Sequence, residues 1–139
     1  MIQDMELASA TTPPRVLVAD DEESVRLFAK RALSDAGYSV LLASDGSEAL
    51  KVAEKQGPFA LFILDVVMPR MTGEEVSRRL RLANPDAKVL YFTGYSDRLF
   101  EERNVLWENE SFIEKPATVK ALLEAVSFSL FGNTHGLRK

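Results

Sequence analysis

Four short apolar runs in this chain each lead into polar residues whose types, taken together, suit phosphoryl chemistry. Asp20-Asp21-Glu22 follows Val16-Leu17-Val18-Ala19, and Asp65 follows Ala60-Leu61-Phe62-Ile63-Leu64. Thr93 ends the run that starts at Val89, and Lys115-Pro116 follows Ser111-Phe112-Ile113-Glu114. A carboxylate can act as a nucleophile, forming an aspartyl phosphate while a metal ion and an amine neutralise the developing charge. Asp65 is the natural acceptor, because Val66, Val67 and Met68 follow it before Pro69 and no helix begins there for it to cap. Carboxylates gathered in apolar surroundings are costly and repel one another, and a divalent cation relieves both effects. An all-oxygen cluster suits Mg²⁺, which makes Asp20 and Asp21 candidate metal holders. Lys115 can then pair with a phosphate oxygen as a point charge while the Thr93 hydroxyl donates to another. A cis peptide at Pro116 would aim the lysine inward. Taken singly, Asp20 and Asp21 read equally well as caps of a following helix.

Elements that could bring these residues together are visible in the hydrophobic pattern. The apolar runs are too short for helices, and several are apolar on both faces, as central strands of a parallel sheet must be. Between them, Val25, Phe28, Ala29, Ala32, Leu33 and Ala36 follow helical spacing until Gly37. Thr72-Gly73-Glu74-Glu75 is a capping-box pattern that leads into Val76, Leu80 and Ala83, with Pro85 beyond. Leu122, Leu123, Val126 and Leu130 give a last helix its inner stripe, and residues 46–56 and 97–107 are helical in character. Five strand–helix units imply an α/β fold with a parallel sheet, right-handed crossovers and helices on both faces. Open sheets of this kind carry their sites beyond the carboxyl ends of the strands. Placing the first, third, fourth and fifth strands together would gather the carboxylates, the hydroxyl and the amine there.

Composition narrows the class of protein. At 139 residues, 46% hydrophobic and 27% charged, the chain has enough apolar content for one packed domain. With no cysteine and one histidine, His135, it has no thiolate chemistry and no multi-histidine metal site. A net charge of -4 argues against binding nucleic acid through overall charge. No apolar run approaches the roughly 20 residues that span a bilayer, and the N-terminus is not a signal peptide. A cytoplasmic domain is therefore expected. Residues 1–14 end in Thr11-Thr12-Pro13-Pro14 and read as a flexible arm, with the domain over 15–131 and a tail over 132–139.

The stretches VLVADDEE (16–23), LFILDVVMPRMTGEE (61–75), VLYFTGYSD (89–97) and FIEKP (112–116) resemble, in order and spacing, the receiver domain of two-component response regulators. That resemblance implies a flavodoxin-like sheet in strand order 2-1-3-4-5. It implies that Asp65 accepts a phosphoryl group from a histidine kinase or a histidine phosphotransfer protein. Asp20, Asp21, Asp65 and the backbone carbonyl of Val67 would hold Mg²⁺, and Thr93 and Lys115 would hold the phosphoryl oxygens. Thr93 and Phe112 would form the switch, although an aromatic residue on a short strand also reads as plain core. The chain would catalyse only its own phosphorylation and dephosphorylation.

A downstream protein partner would read the face formed by the helix at 97–107 and the fourth and fifth strands, and a homodimer is a further possibility. In that helix Leu99, Phe100, Leu106 and Trp107 exceed one buried stripe, so part of the set is expected at a contact, although Trp107 reads equally well as tucked against the sheet. Some positions depart from the family pattern: Phe112 lacks a tyrosine hydroxyl, Ala117 stands where phenylalanine is frequent, and Gly94 where alanine is common. Two other classes remain as alternatives. A haloacid-dehalogenase-like phosphatase also uses a nucleophilic aspartate, Mg²⁺ and lysine, but resembles D-x-D-x-T after the first strand. A receiver that no longer takes phosphate would lack part of the site. The resemblance makes Val67 and Tyr95 the positions that tune hydrolysis, and an apolar and an aromatic neighbour hinder an attacking water. The phosphorylated protein should therefore lose its label more slowly than a free acyl phosphate, followed as decay after donor removal; equal rates would contradict this.

Overall fold

In the computed structural model, which describes residues 12–94 and 106–132, strands and helices alternate along the chain. The elements are β1 (Arg15–Ala19), α1 (Glu23–Asp35), β2 (Ser39–Ala43), α2 (Gly46–Gln56), β3 (Leu61–Leu64), α3 (Gly73–Ala83), β4 (Val89–Thr93), β5 (Glu110–Glu114) and α4 (Val119–Phe131). All strand pairs are parallel, in the order β2-β1-β3-β4-β5. Both the strand order and the expected α/β class are as the residues and the family resemblance implied.

Two-sided burial explains the continuous apolar runs. Successive side chains on a strand point to opposite faces. Leu17, Phe62, Leu64, Val89 and Tyr91 pack on one side with Ala49, Val76 and Leu80, which come from α2 and α3. Val16, Val18, Leu61, Ile63, Leu90 and Phe92 pack on the other with Ala29, Leu33, Leu122 and Val126, from α1 and α4. The edge strand β5 is only partly buried, which accounts for the weaker pattern of Ser111-Phe112-Ile113.

Helix ends follow local chemistry. Gly37 after α1 has φ of 100°, a left-handed conformation that suits glycine. The Thr72 hydroxyl accepts from the Glu75 N–H at 3.2 Å, forming half of the expected capping box. The other half is absent because Arg78 and Arg79 take the Glu75 carboxylate, each at 2.6 Å. Hydrogen bonds from these two guanidiniums hold that carboxyl at about 2.

The expected helix over 97–107 is corrected at its end, and residues 97–105 lie outside those described. Leu106 and Trp107 are not helical. The Trp107 N–H donates to the Glu110 carboxylate at 2.9 Å and its carbonyl accepts from the Glu110 N–H at 3.0 Å, turning the chain into β5.

The start of α3 lies directly against the loop after β3. The Gly73 N–H donates to the Val66 carbonyl at 2.9 Å, and a Cβ on Gly73 would stand 2.1 Å from the Asp65 carbonyl oxygen. Gly73→Ala must therefore displace either α3 or the backbone of Asp65. It should destabilise the fold by about 1–3 kcal/mol in urea unfolding, the usual cost of overpacking.

Candidate functional site

Backbone hydrogen bonds continue one residue past the strand ends and fix three of the polar residues. The Asp20 N–H donates to Ala43 of β2 at 3.2 Å, the Asp65 N–H to Ala19 of β1 at 3.0 Å, and the Lys115 N–H to Thr93 of β4 at 2.9 Å. Each polar side chain therefore starts from a position set by a neighbouring strand. The Lys115–Pro116 peptide is cis.

At this edge Lys115 Nζ lies 2.8 Å from Asp20 Oδ2, 3.2 Å from Asp65 Oδ2 and 3.4 Å from Glu22 Oε1. Asp20, Asp65 and Thr93 are buried, while Asp21 is exposed. Asp20 Oδ1 accepts the Glu22 N–H at 2.9 Å, and the Arg26 guanidinium donates to the Asp20 carbonyl at 2.7 Å. Arg70, at φ 69° in the loop after Asp65, pairs with Asp45 at 2.9 Å and so ties that loop to the start of α2.

Burial pushes the Asp20 carboxyl above the usual carboxylate range, and the neighbouring Asp65 charge adds to the effect. The Lys115 hydrogen bond and the Glu22 N–H oppose it without reversing it. Burial alone would lower the Lys115 amine, but Asp20 and Asp65 outweigh that and raise it. Two buried carboxylates beside one amine leave the site negative.

One carboxylate oxygen from each of Asp20, Asp21 and Asp65 lies within 4.8 Å of the others. Asp65 Oδ1 is buried with no hydrogen-bond partner. All-carboxylate donors and an unsatisfied buried oxygen fit a hard divalent cation.

The structure thus brings together Asp20, Asp21, Asp65 and Lys115, with Thr93 joined to Lys115 through the backbone. Val67 is half-buried in the loop after Asp65, and Tyr95, Leu99 and Phe100 lie outside the described residues. Phe112, open to a core reading from its neighbours, is 40% exposed. Leu106 packs on the core, while Trp107 is partly exposed beneath the Arg81 guanidinium. Ala117 borders a largely apolar cavity of about 240 Å³ shared with Val25, Phe28, Phe92, Lys115 and Pro116. Sequence reasoning missed the contact from Glu22 and the support from Arg26. The one available signal was the third acidic residue after Asp20-Asp21.

Residues 16–127 match the response regulator receiver domain family. The chain belongs to that family. It is 38% identical over 112 residues to response regulator MprA of Mycobacterium leprae, covering 81% of this chain and 49% of that protein. It is 37% identical over 112 residues to sensor kinase CckA of Brucella abortus, covering 80% of this chain and 12% of that protein. The chain therefore spans less than two thirds of either relative's length. Among solved structures it resembles the chemotaxis response regulator CheY4 of Vibrio cholerae, with TM-score 0.77 and 32% identity over 86% of this chain and 100% of that one. It also resembles the response regulator TrrA of Thermotoga maritima in complex with Mg²⁺–BeF, with TM-score 0.75 and 34% identity over 84% of this chain and 99% of that one.

The charge imbalance predicts opposite effects of one substitution. In chelating buffer Asp20→Asn should be as stable as the wild type or up to ~1 kcal/mol more stable, because ionised Asp20 is disfavoured by burial. A divalent cation at 100 times its Kd should stabilise the wild type by about 2.7 kcal/mol and the variant far less, read as thermal shifts. The cation effect should fade as pH falls through the raised pKa of Asp20, since a protonated carboxyl cannot ligate.

Proposed function

We propose that this receiver domain is a phosphoacceptor in a two-component phosphorelay, with Asp65 taking the phosphoryl group from a histidine kinase or a histidine phosphotransfer protein. The observation that carries this reading is Asp65 itself: buried, one oxygen unpartnered, the other 3.2 Å from Lys115, beside Asp20 and Asp21. An Asp65 carboxylate oxygen attacks phosphorus, the P–N bond to the donor imidazole breaks, and the electron pair leaves with the imidazole. Lys115 holds a phosphoryl oxygen by charge, and the Thr93 hydroxyl donates to another. Asp20, Asp21, Asp65 and the Val67 carbonyl would hold Mg²⁺, which supplies positive charge against the transferring group. Val67 and Tyr95 set how readily water reaches the acyl phosphate.

Thr93 and Phe112 form the switch in this reading. Thr93 gains a new acceptor on phosphorylation, and exposed Phe112 changes position, altering the face around β4, β5 and residues 97–107 for a downstream protein. A homodimer could use the same response. The receiver unit runs over 15–131, between an arm at 1–14 and a tail at 132–139, and acts in the cytoplasm. No helix among the described residues is long and apolar enough to cross a membrane, and neither membrane nor nucleic acid is a direct partner in this reading. The chain turns over no separate substrate. The first strand leads into Asp20-Asp21-Glu22-Glu23 instead of the phosphatase pattern D-x-D-x-T, and the best nucleophile lies after the third.

Acetyl phosphate or beryllofluoride with Mg²⁺ should give a stoichiometric adduct by mass spectrometry or fluorine resonance, and none in Asp65→Asn. Multiple turnover of a phosphoester would instead indicate a phosphatase, and no adduct would indicate a receiver that has lost phosphorylation.

A further inference from the structure

We propose that Glu22 is a positioning and specificity residue of this site. Its carboxylate restrains Lys115 at the mouth of the pocket and sets a negative charge against small anionic phosphodonors. This rests on the reading of Asp65 as phosphoacceptor.

The first observation is a helix cap used for something else. Asp45, Thr72 and Thr118 precede α2, α3 and α4, and each side chain accepts a backbone N–H from the first turn of its helix. Glu22 holds the same position before α1, yet its side chain makes no capping bond. Its carboxylate instead reaches Lys115 Nζ at 3.4 Å, 93 positions along the chain. Serine, threonine, aspartate or asparagine would serve the helix better there. The residue type is suited to the longer reach.

The second observation is that the side chain leaves from an anchored point. The Glu22 N–H donates to Asp20 Oδ1 at 2.9 Å, and its carbonyl accepts from the N–H groups of Val25 and Arg26, each at 3.1 Å. Side-chain substitution leaves these backbone bonds in place.

The third is the position of Glu22 among the carboxylates that share the amine. Its side chain is 62% exposed, against 2% for Asp20 and 5% for Asp65. Glu22 is the outermost of the three. Lys115 must loosen its carboxylate contacts to take a phosphoryl oxygen, and Glu22 competes for that amine from the solvent side. An anionic donor meets the same charge on approach.

The test uses the full chain at saturating Mg²⁺, with acetyl phosphate as donor and initial phosphorylation rates at low and high salt. Glu22→Gln removes the charge while keeping size and backbone bonds. At low salt the half-saturating acetyl phosphate should fall about two- to fivefold with little change in maximal rate, the scale of an exposed ion pair. The difference should shrink at about 1 M salt, where exposed charges are screened. Glu22→Asn should lower half-saturation similarly while raising Tm, since asparagine can cap α1. The proposal is overturned if Glu22→Gln matches the wild type at low salt, or if any difference survives high salt unchanged. Labelling of the wild type with no effect of either variant would sink this proposal and leave Asp65 as acceptor. Failure of the wild type to take label would overturn both.

Discussion

Burying the carboxylates of Asp20 and Asp65 side by side costs free energy that one amine only partly offsets. Lys115 contacts both, at 2.8 and 3.2 Å, and still the Asp20 carboxyl sits above its ordinary range because burial and the neighbouring charge prevail. A matched ion pair would be self-contained. This unmatched one leaves negative charge and an unpartnered oxygen facing exposed Asp21, and that residual charge favours a cation. The chemistry of the site follows from an electrostatic imbalance that the fold has to hold in place.

The parallel sheet holds it. β1 and β3 are separated in sequence by α1, β2 and α2, yet lie adjacent, so the residues that follow them emerge together. Hydrogen bonds running one residue beyond the strands set the origins of Asp20, Asp65 and Lys115. Helices packed on both faces make the sheet a close-packed interior with little freedom to relax, so the carboxylates cannot simply move apart. The absence of a side chain at Gly73 lets α3 approach the Asp65 backbone, which fixes Asp65 from a third direction.

β4 joins the site to the exposed edge. Thr93 is buried at its end, and Tyr91, two residues earlier, pairs in register with Phe112 of β5. The Tyr91 hydroxyl donates to the Glu110 carboxylate at 2.6 Å, which also accepts from Ser77 of α3 at 2.7 Å. The base of the β4–β5 pair is thus pinned by a polar cluster, while Phe112 further along is partly exposed. In the proposed switch, this strand, anchored at one end and bearing Thr93 at the other, would convey a local change to that surface. The cluster escaped sequence reasoning because Glu110 and Ser77 look like ordinary surface residues until α3 and β5 are brought together.

Much of this protein follows from local pattern alone. Two-sided apolar runs require buried parallel strands, helical spacing between them requires crossovers, and Asp65 after the most apolar run could hardly be a mere cap. The family motifs implied the strand order, which the structure has, and the proposed roles of Val67 and Phe112, which no spacing could. Tertiary structure decided the rest, because each such outcome depends on distances between segments far apart in sequence. It showed Phe112 exposed on an edge strand, and it joined the Glu110 carboxylate of β5 to Ser77 of α3. It also brought a third carboxylate, Glu22, to Lys115. Residue types and their order determined which groups could do the chemistry; packing across the sheet edge determined which carboxylates share one amine, since Coulomb energies depend on separation and burial that linear sequence does not contain.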